Sequence, residues 1–302
     1  MAGANLTGAP SPQRMSAIVL NVVVQGVLTG LVYGLMALGL SVIFGVVRVV
    51  NFAHGELAVV AMYAAFLLFR DFGLDPFAAM LPVAAVFFGI GYLLQAVLIN
   101  PFVGRAEHEQ FILLVGLGMV IVNGLLMIFG PDARPTNLSY ALDSYEIGSL
   151  LIDKARLLAA AAAVVVAALL FGFFRWTATG TAIRACADNL IGAAVVGLNV
   201  KRLYALTFGI GLACVGAAGA LMVTIADARP ALAQAFTLQA FIIVIVGGLG
   251  SMGGALVGGV LIGVSEALAG FFFEPSMKSM FSFALLILVL MLRPQGLMGR
   301  RA

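Results

Sequence analysis

Between Leu157 and Phe174 the chain reads Leu-Leu-Ala-Ala-Ala-Ala-Ala-Val-Val-Val-Ala-Ala-Leu-Leu-Phe-Gly-Phe-Phe, a run with neither a charge nor a hydrogen-bonding side chain. A helix that crosses a hydrocarbon core of ~30 Å needs ~20 predominantly apolar residues. This run is long enough, and it is not isolated. Of the 302 residues, 63% are hydrophobic and 10% charged, and mean hydropathy is +1.15. A soluble domain carries ~45–50% apolar and ~25% charged residues, so soluble, disordered and collagen-like classes are excluded together. A transmembrane β-barrel needs short alternating segments, which the unbroken runs contradict. The composition therefore predicts an all-α, polytopic helical membrane protein.

Stretches free of Asp, Glu, Lys and Arg mark the spans: 15–47, 57–69, 76–104, 110–131, 157–174, 203–226, 230–265 and 279–292. The seventh is interrupted by Gly247-Gly248-Leu249-Gly250-Ser251-Met252-Gly253-Gly254, a dense backbone breaker, and divides into helices near 232–247 and 254–272. The stretch 57–69 is short for a crossing. If 51–69 is broken or re-entrant, about eight transmembrane helices result, with both termini inside; if it spans, nine or ten. Irregular backbone at membrane depth survives only when buried in protein or lining a wet cavity. The polar residues 1–15 read as a disordered tail and 16–302 as a single transmembrane domain. Lys and Arg in short loops favour the cytoplasm. Arg175, Arg184, Lys201 and Arg202 put 175–202 inside, and Arg293, Arg300 and Arg301 keep the C-terminus there. The mixed-charge loop 131–156 falls outside.

Several motifs can be weighed on spacing alone. Gly248, Gly250 and Gly253 fit the letters of a dinucleotide fingerprint, but apolar membrane helices flank them in place of a strand and a soluble helix, and the nearest downstream acid is Glu266. No phosphate-binding GxxxxGK[ST], HExxH or GxSxG occurs. The two cysteines, Cys186 and Cys214, have no metal-site spacing. The net charge of +3 contains no cluster that points to nucleic acid. Gly26, Gly30 and Gly34 recur every four residues, as do Gly250, Gly254 and Gly258, with Ala255, Gly259, Gly263 and Ala267 as a neighbouring stripe. Such faces let helices approach closely in lipid, either as plain packing or as a sliding or subunit interface.

The densest polar cluster in an apolar setting is Asn51-Phe52-Ala53-His54-Gly55-Glu56. It reads either as a satisfied helix start, with Glu56 at the positive end of the following helix dipole, or as a gate or path element, since ionisable groups at membrane depth are costly and functional. Glu266 falls beyond mid-membrane toward the outside, paired with Lys278 or Arg229 or lining a solute path. In the 184–202 loop, Asp188 is placed to cap a short helix that Gly197 ends. Ile191, Ala194, Val195 and Leu198 share one face of it. That face requires a cover, either the bilayer surface or a groove in a partner protein.

Read together, Val50-Asn51-Phe52-Ala53-His54-Gly55-Glu56, Arg184-Ala185-Cys186-Ala187-Asp188-Asn189 with Gly197-Leu198-Asn199, Gly247 to Gly259 with Ser265-Glu266-Ala267-Leu268, and Ser282 to Leu286 with Arg293-Pro294-Gln295-Gly296 resemble, in order, the branched-chain amino acid ABC transporter permeases of the LivH type. Urea and short-amide permeases share much of this pattern. The resemblance implies a bacterial inner-membrane subunit that works with two cytoplasmic ABC ATPases, a second homologous permease and a periplasmic substrate-binding protein. It implies no cofactor in this chain, ATP being bound by the partners, and no enzymatic activity. It also implies that 184–199 is the coupling helix seated in an ATPase groove, through Arg184, Ala185, Asp188, Asn189, Ile191, Val195, Gly197 and Leu198. Asn51, His54, Glu56 and Glu266 are then the candidates for the translocation path or gate. Two other classes remain: a proton-coupled secondary transporter using His54, Glu56 and Glu266 as a relay, and an intramembrane enzyme built around His108 with Glu107 and Glu109.

Overall fold

The computed structural model describes residues 12–141, 143–148 and 150–299. It is a helical bundle of α1 (Pro12–Val47), α2 (His54–Phe72), α3 (Pro76–Leu93), α4 (Glu107–Phe129), α5 (Lys154–Trp176), α6 (Ala178–Asp188), α7 (Leu190–Val195), α8 (Val200–Met222), α9 (Leu232–Gly247), α10 (Met252–Phe272) and α11 (Lys278–Leu292). Among the described residues, six stretches are long and apolar enough to cross a membrane: Met15–Val47, Pro76–Phe102, His108–Phe129, Lys154–Trp176, Val200–Met222 and Met252–Phe272; α9 and α11 are shorter apolar helices. The chain is thus an all-α, multi-pass membrane protein. Among the described residues a short hairpin, β1 (Ser144–Ile147) paired antiparallel with β2 (Leu150–Asp153), interrupts the helices inside the 131–156 loop. The tail expected over 1–15 lies outside the described residues as far as residue 11, and α1 takes up its last four residues.

Glycines decide which helices touch. A Cβ on Gly26, Gly30 or Gly34 would meet the backbone of α10 at Gly263, Gly259 and Leu256. The neighbouring stripe on α10 therefore faces α1. Gly254 and Gly258 turn to α9, against Gly247 and Ile243, while Gly250 meets Gly45. A third set escapes sequence inspection. Gly211 packs on Gly39 of α1, Gly219 on Ala58 and Ala61 of α2, and Gly209 and Gly216 on Phe88 and Phe87 of α3. Each close approach replaces a side chain by backbone contact, the packing mode available where lipid gives no hydrophobic drive. Through them α8 becomes the buried axis of the bundle.

Three polar contacts fix one end. Asn21 Oδ1 accepts from Leu151 N at 2.7 Å, Gln25 Nε2 donates to Leu151 O at 3.1 Å, and Arg156 donates to Gln25 Oε1 at 3.0 Å. The beginning of α1 therefore sits at the hairpin end of the molecule. Tyr140 ties the same end to the α2–α3 turn by donating to Asp75 Oδ2 at 2.6 Å, while Asp75 Oδ1 accepts from Phe77 N to cap α3. Burial, together with the Asp75 carboxylate, pushes the Tyr140 phenol above its usual range. The segment after α11 lies at the opposite end, where Leu297 N and Met298 N donate to Val246 O and Gly247 O. Among the described residues, the first helix and the last segment thus begin and end on opposite sides. The expected count of about eight crossings is met only in part: among the described residues six stretches qualify by length and composition, and α2 is not one of them. α2 is a 19-residue helix, longer than its charge-free stretch. Glu56, Arg70 and Asp71 belong to its two ends and so fall outside the uncharged run.

Candidate functional site

Between α1 and α2 the chain turns at Arg48, which has a positive φ of 57°, and runs without helix to Ala53. It does not leave the bundle. Asn51, Ala53 and His54 are fully buried. His54 Nε2 lies 2.9 Å from the Met36 carbonyl, about 16 Å back along α1 from its Val47 end. A carbonyl only accepts, so this contact puts the imidazole proton on Nε2. His54 Nδ1 and Asn51 Nδ2 have no hydrogen-bond partner among the described residues, and Asn51 Oδ1 accepts from Ala53 N at 3.1 Å. The first turn of α2 docks on α9. Gly55 N donates to Thr237 Oγ1 at 2.8 Å, and that hydroxyl donates to Glu56 Oε2 at 2.6 Å. A side chain on Gly55 would collide with Ala233 O and the Thr237 backbone, so only glycine permits this contact. Glu56 borders a cavity of about 410 Å³ between α4 and α9, lined by Phe52, Gly118, Asn123 and Gln234 among others.

Glu266 is held from the opposite face of the same helix. Gln239 Nε2 donates to both Glu266 oxygens at 3.1 Å, and Ser282 Oγ to Oε1 at 3.0 Å. Neither partner expected for it, Lys278 or Arg229, comes within ion-pair distance among the described residues. Both instead line, with Glu266, Tyr33 and Arg156, a cavity of about 880 Å³ at the hairpin end. Thr237 and Gln239 have no part in the sequence reading, and Ser282 enters it only as a member of a family motif. Their signal was faint: Thr237 and Gln239 are neutral polar residues interrupting the otherwise apolar run of α9.

At the other end a cavity of about 870 Å³ is lined by Arg48, Arg184, Ala185, Asp188, Gly250 and Ser251 among others. Here the local structure corrects one reading. Asp188 does not cap the short helix; it is the last residue of α6. Asn189 is the cap of α7, with an extended backbone (φ −148°, ψ 101°) and Oδ1 accepting from Gly192 N at 2.8 Å. Gly197, with φ 85°, ends the segment as expected for an αL stop, and Leu198 N returns to Ala193 O. Ala193 is the buried side of α7, whereas Ile191 and Val195 are 78% and 80% exposed. Ala194 is exposed as well and Leu198 half-buried.

The three ionisable groups proposed for a relay are not joined: among the described residues no hydrogen bond connects His54 to Glu56, and α9 separates Glu56 from Glu266. His108 is exposed, with Glu109 paired to Arg105 at 3.5 Å. No group of three or more His, Cys, Asp or Glu able to hold a metal occurs among the described residues.

Comparison with known proteins agrees with this architecture along almost the whole chain. Residues 22–290 match the family described as the branched-chain amino acid transport system permease component. The chain is 32% identical over 291 residues to the high-affinity branched-chain amino acid transport system permease protein LivH of Salmonella typhimurium, covering 91% of this chain and 94% of that one. It is 31% identical to LivH of Escherichia coli K12, with the same coverage. To the permease protein BraD of Pseudomonas aeruginosa it is also 31% identical, over 92% and 94% of the two chains. No solved structure matches.

Proposed function

This chain belongs to the permease-component family of branched-chain amino acid ABC transport systems, and from that premise we propose that it is a LivH-type subunit of an ATP-driven importer for branched-chain or related amino acids. It works in the bacterial inner membrane with a second homologous permease, two ABC ATPases and a periplasmic binding protein, and it catalyses no covalent reaction. The observation that carries the reading is α7. A helix end that exposes Ile191 and Val195 beside a cavity lined by Arg48 and Arg184 fits a groove of a partner protein. With α7 as the coupling element over 184–199, that end is cytoplasmic, the C-terminus lies with it, and the hairpin faces the binding protein. On this reading 51–69 is the broken or re-entrant segment, supported by the contact of His54 with mid-helix Met36. Asn51, His54 and Glu56 serve as the gate and Glu266 as an acid of the outer path. Movement of the ATPases pulls on α6 and α7, and the helices rock between outward- and inward-facing states.

The test is affinity purification of the tagged chain from its host in mild detergent, with mass spectrometry of what co-elutes. Two P-loop ATPases and a second permease are expected. A chain that elutes alone and moves solute in liposomes under a proton gradient overturns the reading. Asp188→Lys gives a sharper check. A cation at the C-terminus of α6 favours the helix dipole, so the variant folds, and uptake driven by ATP is lost. Normal uptake in that variant removes α6–α7 from the coupling path.

A further inference from the structure

The hairpin-end cavity has a charge pattern that the transport reading alone does not require. Three carboxylates and three cations line it: Glu266, Asp153 and Asp227 against Arg156, Arg229 and Lys278. Asp153 and Arg156 are already near each other at 3.9 Å. Glu266 is not so engaged. Its oxygens receive hydrogen bonds only from the neutral Gln239 and Ser282 among the described residues, and a carboxylate has about four acceptor positions, so capacity remains. Phe236 and Ile242 of α9 add apolar wall. The volume, about 880 Å³, falls within the ~300–1,000 Å³ of small-molecule sites.

We infer that this cavity is a binding site for a zwitterionic α-amino acid, with Glu266 receiving the ammonium, Arg229 and Lys278 the carboxylate, and the Phe236–Ile242 wall an aliphatic side chain. The inference rests on the importer reading and narrows it. A wall with both signs of charge and no net excess suits a ligand carrying both charges. A neutral amide or urea fills the same space yet brings no ammonium to Glu266 and no carboxylate to the cations. Selection for amino acids over amides is thus built into the permease itself, after delivery by the binding protein.

The experiment uses the full chain in lipid nanodiscs with whatever subunits co-purify, and radiolabelled leucine as the probe. Leucine is expected to bind saturably. Leucinol, which lacks the carboxylate, isocaproate, which lacks the ammonium, and isocaproamide, which lacks both charges, compete at least about tenfold more weakly, the equivalent of one lost ionic contact. Glu266→Gln keeps the shape and its donors. It abolishes the preference for leucine over isocaproate, whereas the exposed Arg229→Ala and Lys278→Ala changes abolish the preference for leucine over leucinol. Equal competition by isocaproamide, or leucine binding unchanged in Glu266→Gln, overturns the site. Leucine uptake by the assembled importer without leucine binding to the permease sinks this inference and leaves the functional reading standing. Uptake of neutral amides alone sinks the functional reading.

Discussion

Glu56 and Glu266 are two carboxylates inside one bundle, and both are gripped by α9. Thr237 holds the first and Gln239 the second. The two residues are two positions apart, ~200° around a helix, so α9 reaches α2 from one face and α10 from the other. The settings differ in every other respect. Glu56 has one side-chain donor and a cleft of about 410 Å³. Glu266 has two side-chain donors and a cavity twice that size rimmed by cations. The difference teaches that a buried acid takes its role from its surroundings. The first is bonded into a helix–helix junction, and the second borders a cavity lined by charges of both signs.

The comparison breaks most easily at the junction. Gly55→Val forces a side chain into the α9 backbone and is expected to cost ~3 kcal/mol or more. Gly124→Val on α4, where a Cβ meets nothing within 4 Å, should be silent. Thermal unfolding of the two variants in detergent checks the pair, and equal melting points would contradict the docking of α2 on α9. Next in size is Thr237→Val, which strands a buried carboxylate for about 2 kcal/mol; Thr237→Ser restores the donor and the melting temperature. Gln239→Leu removes the matching grip on Glu266 but leaves Ser282 in place, so about 1 kcal/mol is expected. A loss as large as that of Thr237→Val would show the two acids to be equally structural. The smallest effect on stability belongs to Val195→Glu, within ~0.5 kcal/mol because the site is exposed. Its consequence is read in ATP-driven uptake, which it should abolish while the melting curve stays put.

Much of this was legible in the sequence. The polar cluster 51–56 stood out because six residues of mixed polarity interrupt a membrane-like pattern, and the glycine breaker at 247–254 divided α9 from α10, with α9 spanning Leu232–Gly247. What was not legible depended on partners distant in the chain. The Thr237–Glu56 contact spans 181 positions, and a single threonine in an apolar helix carries no mark of it. Asn189 displaced Asp188 as the cap of α7 because either side chain can fill that role, and only the extended backbone at 189 selects between them. The β1–β2 hairpin was missed because each strand has only four residues.

The seam between α1 and α10 has a further consequence. Gly26, Gly30 and Gly34 on one side and Gly259 and Gly263 on the other bring backbone against backbone. In water each would weaken its helix by ~1 kcal/mol relative to alanine, enough to melt an isolated segment. In lipid an unfolded backbone is scarcely an option, since its exposed amides have nothing to bond. The helices therefore exist before they meet, and the glycines' conformational freedom is already spent when contact begins. A seam of this composition therefore costs far less in a bilayer than the same glycines would cost in water.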